Sequence, residues 1–138
     1  MEVKVTHLDG VRFSVQSRSH TILCDQPADN GGADAGMTPP EFMLASLASC
    51  AGFYAMQYLK TRSLADTGVE VTVTADKLKS PARLGNFNIR VTCPVPLSEE
   101  QHDALMRSVK SCLIHNTLLH PPEITIELEV PAAAVQQA

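Results

Sequence analysis

Four cysteines, Cys24, Cys50, Cys93 and Cys112, are the residues of this sequence best equipped for chemistry. A thiolate attacks an O–O or S–S bond where a thiol does not, and at an ordinary pKa of ~8.5 only about 3% of a cysteine is ionised at pH 7. Depressing the pKa to ~6 raises that share to about 90%, and a guanidinium roughly 4 Å away supplies enough Coulomb energy for such a shift. Attack on a peroxide leaves a sulfenic acid, which a second cysteine traps as a disulfide before further oxidation. Redox chemistry therefore asks for two thiols and one cation. No CxxC pair occurs, and no histidine stands at zinc-finger spacing from a cysteine, so neither a metal nor another cofactor is expected. His7, His20, His102 and His120 share no ligand spacing; His115, one helical turn after Cys112, is placed to orient or protonate groups there, or simply to sit at a surface.

The elements that must carry these residues follow from the pattern around them. Val3 and Val5 alternate with polar residues, Asp9-Gly10 signals a turn, and Val11, Phe13 and Val15 alternate again, which predicts a hairpin. A third strand is expected over His20 to Cys24, followed by a glycine-rich loop over 25–37. Thr38-Pro39-Pro40-Glu41 reads as a helix start, with Thr38 the N-cap, Pro39 the first helical residue and Glu41 closing a capping box. The helix should run to Leu59 or Lys60, a rod of about 30 Å that crosses the core. Its middle is rich in alanine, serine and glycine, with Cys50 at the centre. A buried structural thiol is the simplest reading of Cys50 taken alone.

Val69, Val71 and Val73, then Phe87, Ile89, Val91 and Cys93, predict a second hairpin joined by a turn around Ser80 to Gly85. Ser98 to Gln101 repeats the capping-box pattern ahead of a helix through about Lys110, and a helical segment around Cys112 to Leu119 continues or kinks it. His120-Pro121-Pro122 stops it, Ile124, Ile126, Leu128 and Val130 alternate as a last strand, and residues 131–138 read as a frayed tail. Cys24 and Cys93 thus belong to strands. The order implies an α+β fold, an antiparallel sheet wrapped around a long central helix, in one domain spanning 1–138.

Length and composition narrow the function. The chain has 138 residues with 44% apolar and 19% charged, enough for one packed core. A net charge of −4, 4% aromatic residues and no tryptophan argue against nucleic acid as a partner. The N-terminus lacks a signal-peptide pattern, so cytoplasmic residence is expected. The uncharged run from Phe42 to Met56 is fifteen residues, short of the ~20 that cross a bilayer, and reads as a buried helix rather than a membrane span. A 30 Å helix with small residues on several sides needs more cover than this chain supplies, which points to a dimer sharing its core.

The segment TPPEFMLASLASCAG at 38–52, followed by SVKSCLIH, resembles the OsmC/Ohr family, and the element order extends the resemblance over nearly all of residues 2–130. The resemblance implies an intertwined homodimer with active sites at the subunit interface. It also implies thiol-dependent reduction of small organic hydroperoxides in oxidative or osmotic stress defence, with an external dithiol as reductant. It makes Cys50 the peroxidatic and Cys112 the resolving cysteine, Glu41 the helix-start carboxylate, and Arg12 or Arg18 the activating arginine, Arg12 being favoured by its closeness to the turn. Two features depart from the well-studied peroxidases: their glutamate falls where this chain has Pro40, and their second cysteine precedes a proline where this chain has Leu113. The chain is in these respects similar to a less characterised OsmC-like branch. The alternative reading is a non-catalytic dimer of the same fold that binds a small apolar ligand or partner. Met43, Leu47, Phe53 and Tyr54 with Leu113, Leu118 and Leu119 are the candidate apolar entrance, or ordinary core.

Overall fold

The computed structural model describes residues 1–131. Three strands come first, β1 (Lys4–Asp9), β2 (Arg12–Ser17) and β3 (His20–Cys24), in an antiparallel sheet of that order. The β1–β2 loop is Gly10-Val11, and Gly10 adopts φ 49°, which suits a residue without Cβ. At the β2–β3 loop the left-handed position falls instead on Arg18, at φ 54°.

A single turn of 3-10 helix at Ala28–Asn30 interrupts the segment after β3, which the sequence alone presented as plain loop. The segment folds back on β3: Met37 bridges Cys24. Asp25 locks it in place. Its carboxylate, shielded from solvent within a shallow loop, accepts the backbone N–H groups of Gln26 at 2.8 Å, Ala33 at 3.1 Å and Ala35 at 3.0 Å. Three N–H groups that have no strand or helix partner thereby meet one acceptor.

The long helix α1 (Pro39–Thr61) starts on the expected box. Glu41 Oε2 accepts from Thr38 N at 2.7 Å and from Thr38 Oγ1 at 2.8 Å. Leu47, Ala51, Ala55 and Leu59 recur every four residues on one face and are buried, against β4 (Glu70–Lys79) and the second helical layer. β4 pairs antiparallel with β5 (Ala82–Thr92). The turn between them is Ser80-Pro81, so this hairpin is longer than the alternation of valines indicates. Helix α2 (Glu99–Lys110) carries the second capping box, with Gln101 N donating to Ser98 Oγ, and α3 (Leu113–Leu119) follows with Cys112 as its N-cap.

Two expectations are corrected. Residues 121–131 form no strand and are exposed throughout, with Ile124 at 81% and Ile126 at 93% of full exposure. Alternation makes a segment suited to a sheet, but a strand needs an edge to pair with, and this segment pairs with neither sheet of its own chain. Likewise α1 is not buried all round: β4, β5, α2 and α3 cover one face, while Ser46, Ser49, Phe53 and Gln57 are exposed. By length and composition α1 meets the requirement for a membrane span, with a mean hydropathy of 1.2, yet its most apolar stripe is the one packed against the rest of the chain. The expected frayed tail lies, beyond residue 131, outside the described residues.

The loop makes a direct prediction. A Cβ on Gly32 would stand 1.8 Å from the Gln26 carbonyl oxygen and 2.8 Å from Asp25 Oδ1, and the backbone there cannot give way without opening the clip. Gly32→Ala should cost about 1–3 kcal/mol, the usual range for overpacking. Urea unfolding would read this as a lower midpoint; an unchanged midpoint would show the loop to be looser than described.

Candidate active site

Cys50 and Cys112 meet where α1 crosses the α2–α3 junction. Their meeting depends on how closely the helices approach. Ala51 and Ala55 have no exposed surface, and Ser108 Oγ on α2 donates to the Tyr54 backbone oxygen of α1 at 3.1 Å. Small residues on the facing stripe let α2 reach the α1 backbone itself. Cys50, one position before Ala51, is half-buried, whereas Cys112 is fully buried.

The Cys112 thiol lies among competing influences. Burial pushes its pKa up, and so does hydrogen bonding with the neighbouring Cys50 thiol. The backbone N–H groups of His115 and Ile114 pull it down. The first of these is the N-cap contact, His115 N to Cys112 Sγ at 3.5 Å. His115 is therefore tied to Cys112 through its main chain. Its ring instead places Nδ1 3.3 Å from the Lys110 carbonyl oxygen.

The other residues singled out in the sequence fall elsewhere. Glu41 is engaged in the helix cap, and the two bonds from Thr38, backbone first, hold its carboxyl below the usual range. Arg12 forms a two-pronged pair with Asp9, with Nε to Oδ1 at 2.7 Å, and also acts on Asp25 from nearby. Arg18, at its hairpin tip, has an exposed side chain and a backbone conformation that costs a non-glycine residue about 1–3 kcal/mol. The structure thus brings Cys50 and Cys112 together but not Glu41, Arg12 or Arg18 with them. Among the described residues no group of three or more histidine, cysteine, aspartate or glutamate side chains is arranged to hold a metal ion.

A cavity of about 580 Å³ lies between α1, β5, α2 and α3, with Leu47 and His115 in its wall but neither Cys50 nor Cys112. Met43 and Leu47 from α1 and Leu118 and Leu119 from α3 line it, as the apolar-entrance reading expects. Phe53, Tyr54 and Leu113 do not. The sequence reading missed the opposite wall, formed by Phe87, Ile89 and Val91 of β5 and by Leu105 and Met106 of α2. The period-two pattern identified the β5 residues as inward-facing, but not as facing a void. Cys93 also lines the cavity, and burial raises its pKa.

Asp25 yields a pH prediction. The Ala35 N–H, followed by those of Gln26 and Ala33 and the charge of Arg12, lowers its pKa against the opposing effect of burial. A carboxylate whose folded pKa is depressed contributes stability above its unfolded pKa of ~3.9, and that stability is lost as pH falls through the folded value. Below about pH 4 the protein should therefore lose stability steadily. Asp25→Asn should lower the melting temperature at pH 7 and flatten the acid slope. A variant with an unaltered slope would show that the clip does not titrate.

A family model described as OsmC-like protein matches residues 31–127. Among solved structures, the chain is similar to an osmotic stress induced and detoxification response protein from Psychrobacter arcticus 273-4, with TM-score 0.76 and 22% identity over 83% of this chain and 85% of that one. It is also similar to an OsmC-like protein from Mycoplasma pneumoniae, with TM-score 0.75 and 21% identity over 87% of each chain. The organic hydroperoxide resistance protein OhrB of Bacillus subtilis aligns with TM-score 0.52 and 22% identity, covering 85% of this chain and 90% of that one. Comparison with curated protein sequences returned no match.

Proposed function

Because the chain belongs to the OsmC-like protein family, we propose that it is a thiol-dependent peroxidase that reduces organic hydroperoxides through Cys50 and Cys112. The observation that carries the proposal is the apposition of these two thiols, one half-buried and one fully buried, on the helices that also wall an apolar cavity. The Bacillus subtilis neighbour is named for organic hydroperoxide resistance, which agrees with this reading.

In the proposed reaction the Cys50 thiolate attacks the terminal oxygen of the hydroperoxide. The O–O bond breaks, the alkoxide leaves as the alcohol after taking up a proton, and Cys50 becomes a sulfenic acid. The Cys112 sulfur then attacks Cys50 Sγ, water leaves, and a disulfide forms. An external dithiol returns both cysteines to thiols and is itself oxidised to a disulfide. The cavity walls suit the alkyl part of the peroxide, and its volume lies within the range of small-molecule sites.

The chemistry still requires a cation at Cys50, and mid-helix position gives little help from the helix dipole. We assign this cation to Arg12 or Arg18 of a second copy. A homodimer is supported by the surfaces a single chain leaves uncovered: β1 is exposed along its whole length, as are the outer face of α1 and Ile124 to Val130. Arg18 is the better placed of the two, since Arg12 would have to leave Asp9. The proposed setting is the cytoplasm, in defence against oxidative or osmotic stress.

A hydroperoxide consumption assay with a dithiol reductant tests the proposal. Cys50→Ser should lower turnover at least ~100-fold, since the attacking sulfur is gone and Cys112 is enclosed. Cys112→Ser should consume about two equivalents and then stall, the first making the Cys50 sulfenic acid and the second over-oxidising it to the sulfinic acid. Wild-type rates in Cys50→Ser would remove the peroxidase. The same cavity favours a second reading, a non-catalytic dimer that binds a small apolar ligand. Its signature would be ligand affinity unaffected by Cys50→Ser in a protein that consumes no peroxide.

A further inference from the structure

The two sulfurs differ in access and in the groups that surround them, and this difference bears on how the oxidised protein is reduced. Cys112 has no exposed surface, enclosed where α1, α2 and α3 meet. Cys50, on α1, keeps partial exposure in the single chain. Thiol–disulfide exchange requires the incoming sulfur to approach along the S–S axis from the far side of the sulfur under attack, so an enclosed sulfur is a poor target. Exchange is also faster when the departing sulfur is stabilised as a thiolate. Cys112 has a donor already in place for that charge, the His115 N–H at 3.5 Å.

Resting on the peroxidase reading and its Cys50–Cys112 disulfide, we propose that the reducing dithiol attacks Cys50 Sγ and expels Cys112 as the thiolate. One thiolate of the dithiol forms a bond to Cys50 Sγ as the Cys50–Cys112 bond breaks, and the electron pair of that bond leaves on Cys112. The second thiol of the dithiol then attacks the first one's sulfur, breaks the mixed disulfide and releases Cys50. The dithiol is oxidised to a cyclic disulfide, both protein sulfurs are reduced, and the two protons come from the dithiol. In this leaving state the Ile114 and His115 N–H groups still face Cys112. The Cys50 thiol, whose hydrogen bonding raises the Cys112 pKa in the reduced protein, is then tied up in the mixed disulfide. Cys50 thus takes both the oxidant and the reductant, and Cys112 never has to reach solvent.

Trapping the first exchange step tests this. The disulfide is formed with diamide, so that the outcome does not depend on peroxide chemistry. It is then treated briefly with one equivalent of 2-mercaptoethanol, so that the mixed disulfide is not cleaved by a second molecule, trapped with N-ethylmaleimide, and mapped by peptide mass spectrometry. The mercaptoethanol adduct should lie on Cys50 and the maleimide on Cys112, with a preference of at least about tenfold. An adduct on Cys112, or an even split, would overturn the proposal. Failure of diamide to join the two cysteines would overturn it together with the peroxidase reading. A disulfide that diamide forms but hydroperoxide does not would count against the peroxidase reading alone, with the adduct still deciding the direction of attack.

Discussion

Everything proposed for this protein depends on the close approach between α1 and the α2–α3 junction. Two alanines, Ala51 and Ala55, set that distance, and the Ser108 hydroxyl on the Tyr54 carbonyl shows how near α2 comes. Helices normally stand 8–10 Å apart according to the side chains between them, and small residues select the lower end. A larger residue at Ala51 would push α2 and α3 outward and carry Cys112 away from Cys50. The stripe is therefore a positioning device as much as a core, which explains why a helix so low in bulky residues can organise the domain.

Much of this was legible in the sequence, for identifiable reasons. Both capping boxes were readable because their chemistry is local: Thr38 with Glu41 and Ser98 with Gln101 lie within one turn. The period-two runs marked four of the five strands, β3 being the one without clear alternation, and the resemblance to the OsmC/Ohr family singled out the cysteine pair. What resisted sequence reading was non-local. Asp25 collects N–H groups from residues up to ten positions away, which no periodicity marks. The cavity wall on β5 is completed by residues of α1, α2 and α3, far from β5 in sequence. Ile124 to Val130 carries the pattern of a strand without an edge to join, since alternation encodes a face and says nothing about which chain supplies the neighbour.

The site also shows how one fold gives two identical side chains different duties. Cys112 is fixed: buried, capping α3, with backbone donors directed at its sulfur. Cys50 is the half-buried member, on a rigid helix. Oxidation needs the accessible sulfur to react and the sheltered one to wait, and that division is built into the packing before any substrate arrives. Neither Arg12, which Asp9 holds, nor Arg18, at its hairpin tip, stands beside Cys50 within the chain. This is the physical reason the account requires a second copy of the chain.

The most direct test of the central claim, that Cys50 and Cys112 act as one redox pair, is a thiol count on the reduced protein after one equivalent of an organic hydroperoxide. Mass spectrometry of the digest, without added reductant, would accompany the count. The account predicts that two of the four thiols disappear and that a single cross-link joins the peptides carrying Cys50 and Cys112, with Cys24 and Cys93 still free. Four intact thiols, or oxygen added to Cys50 with Cys112 unchanged, would contradict it.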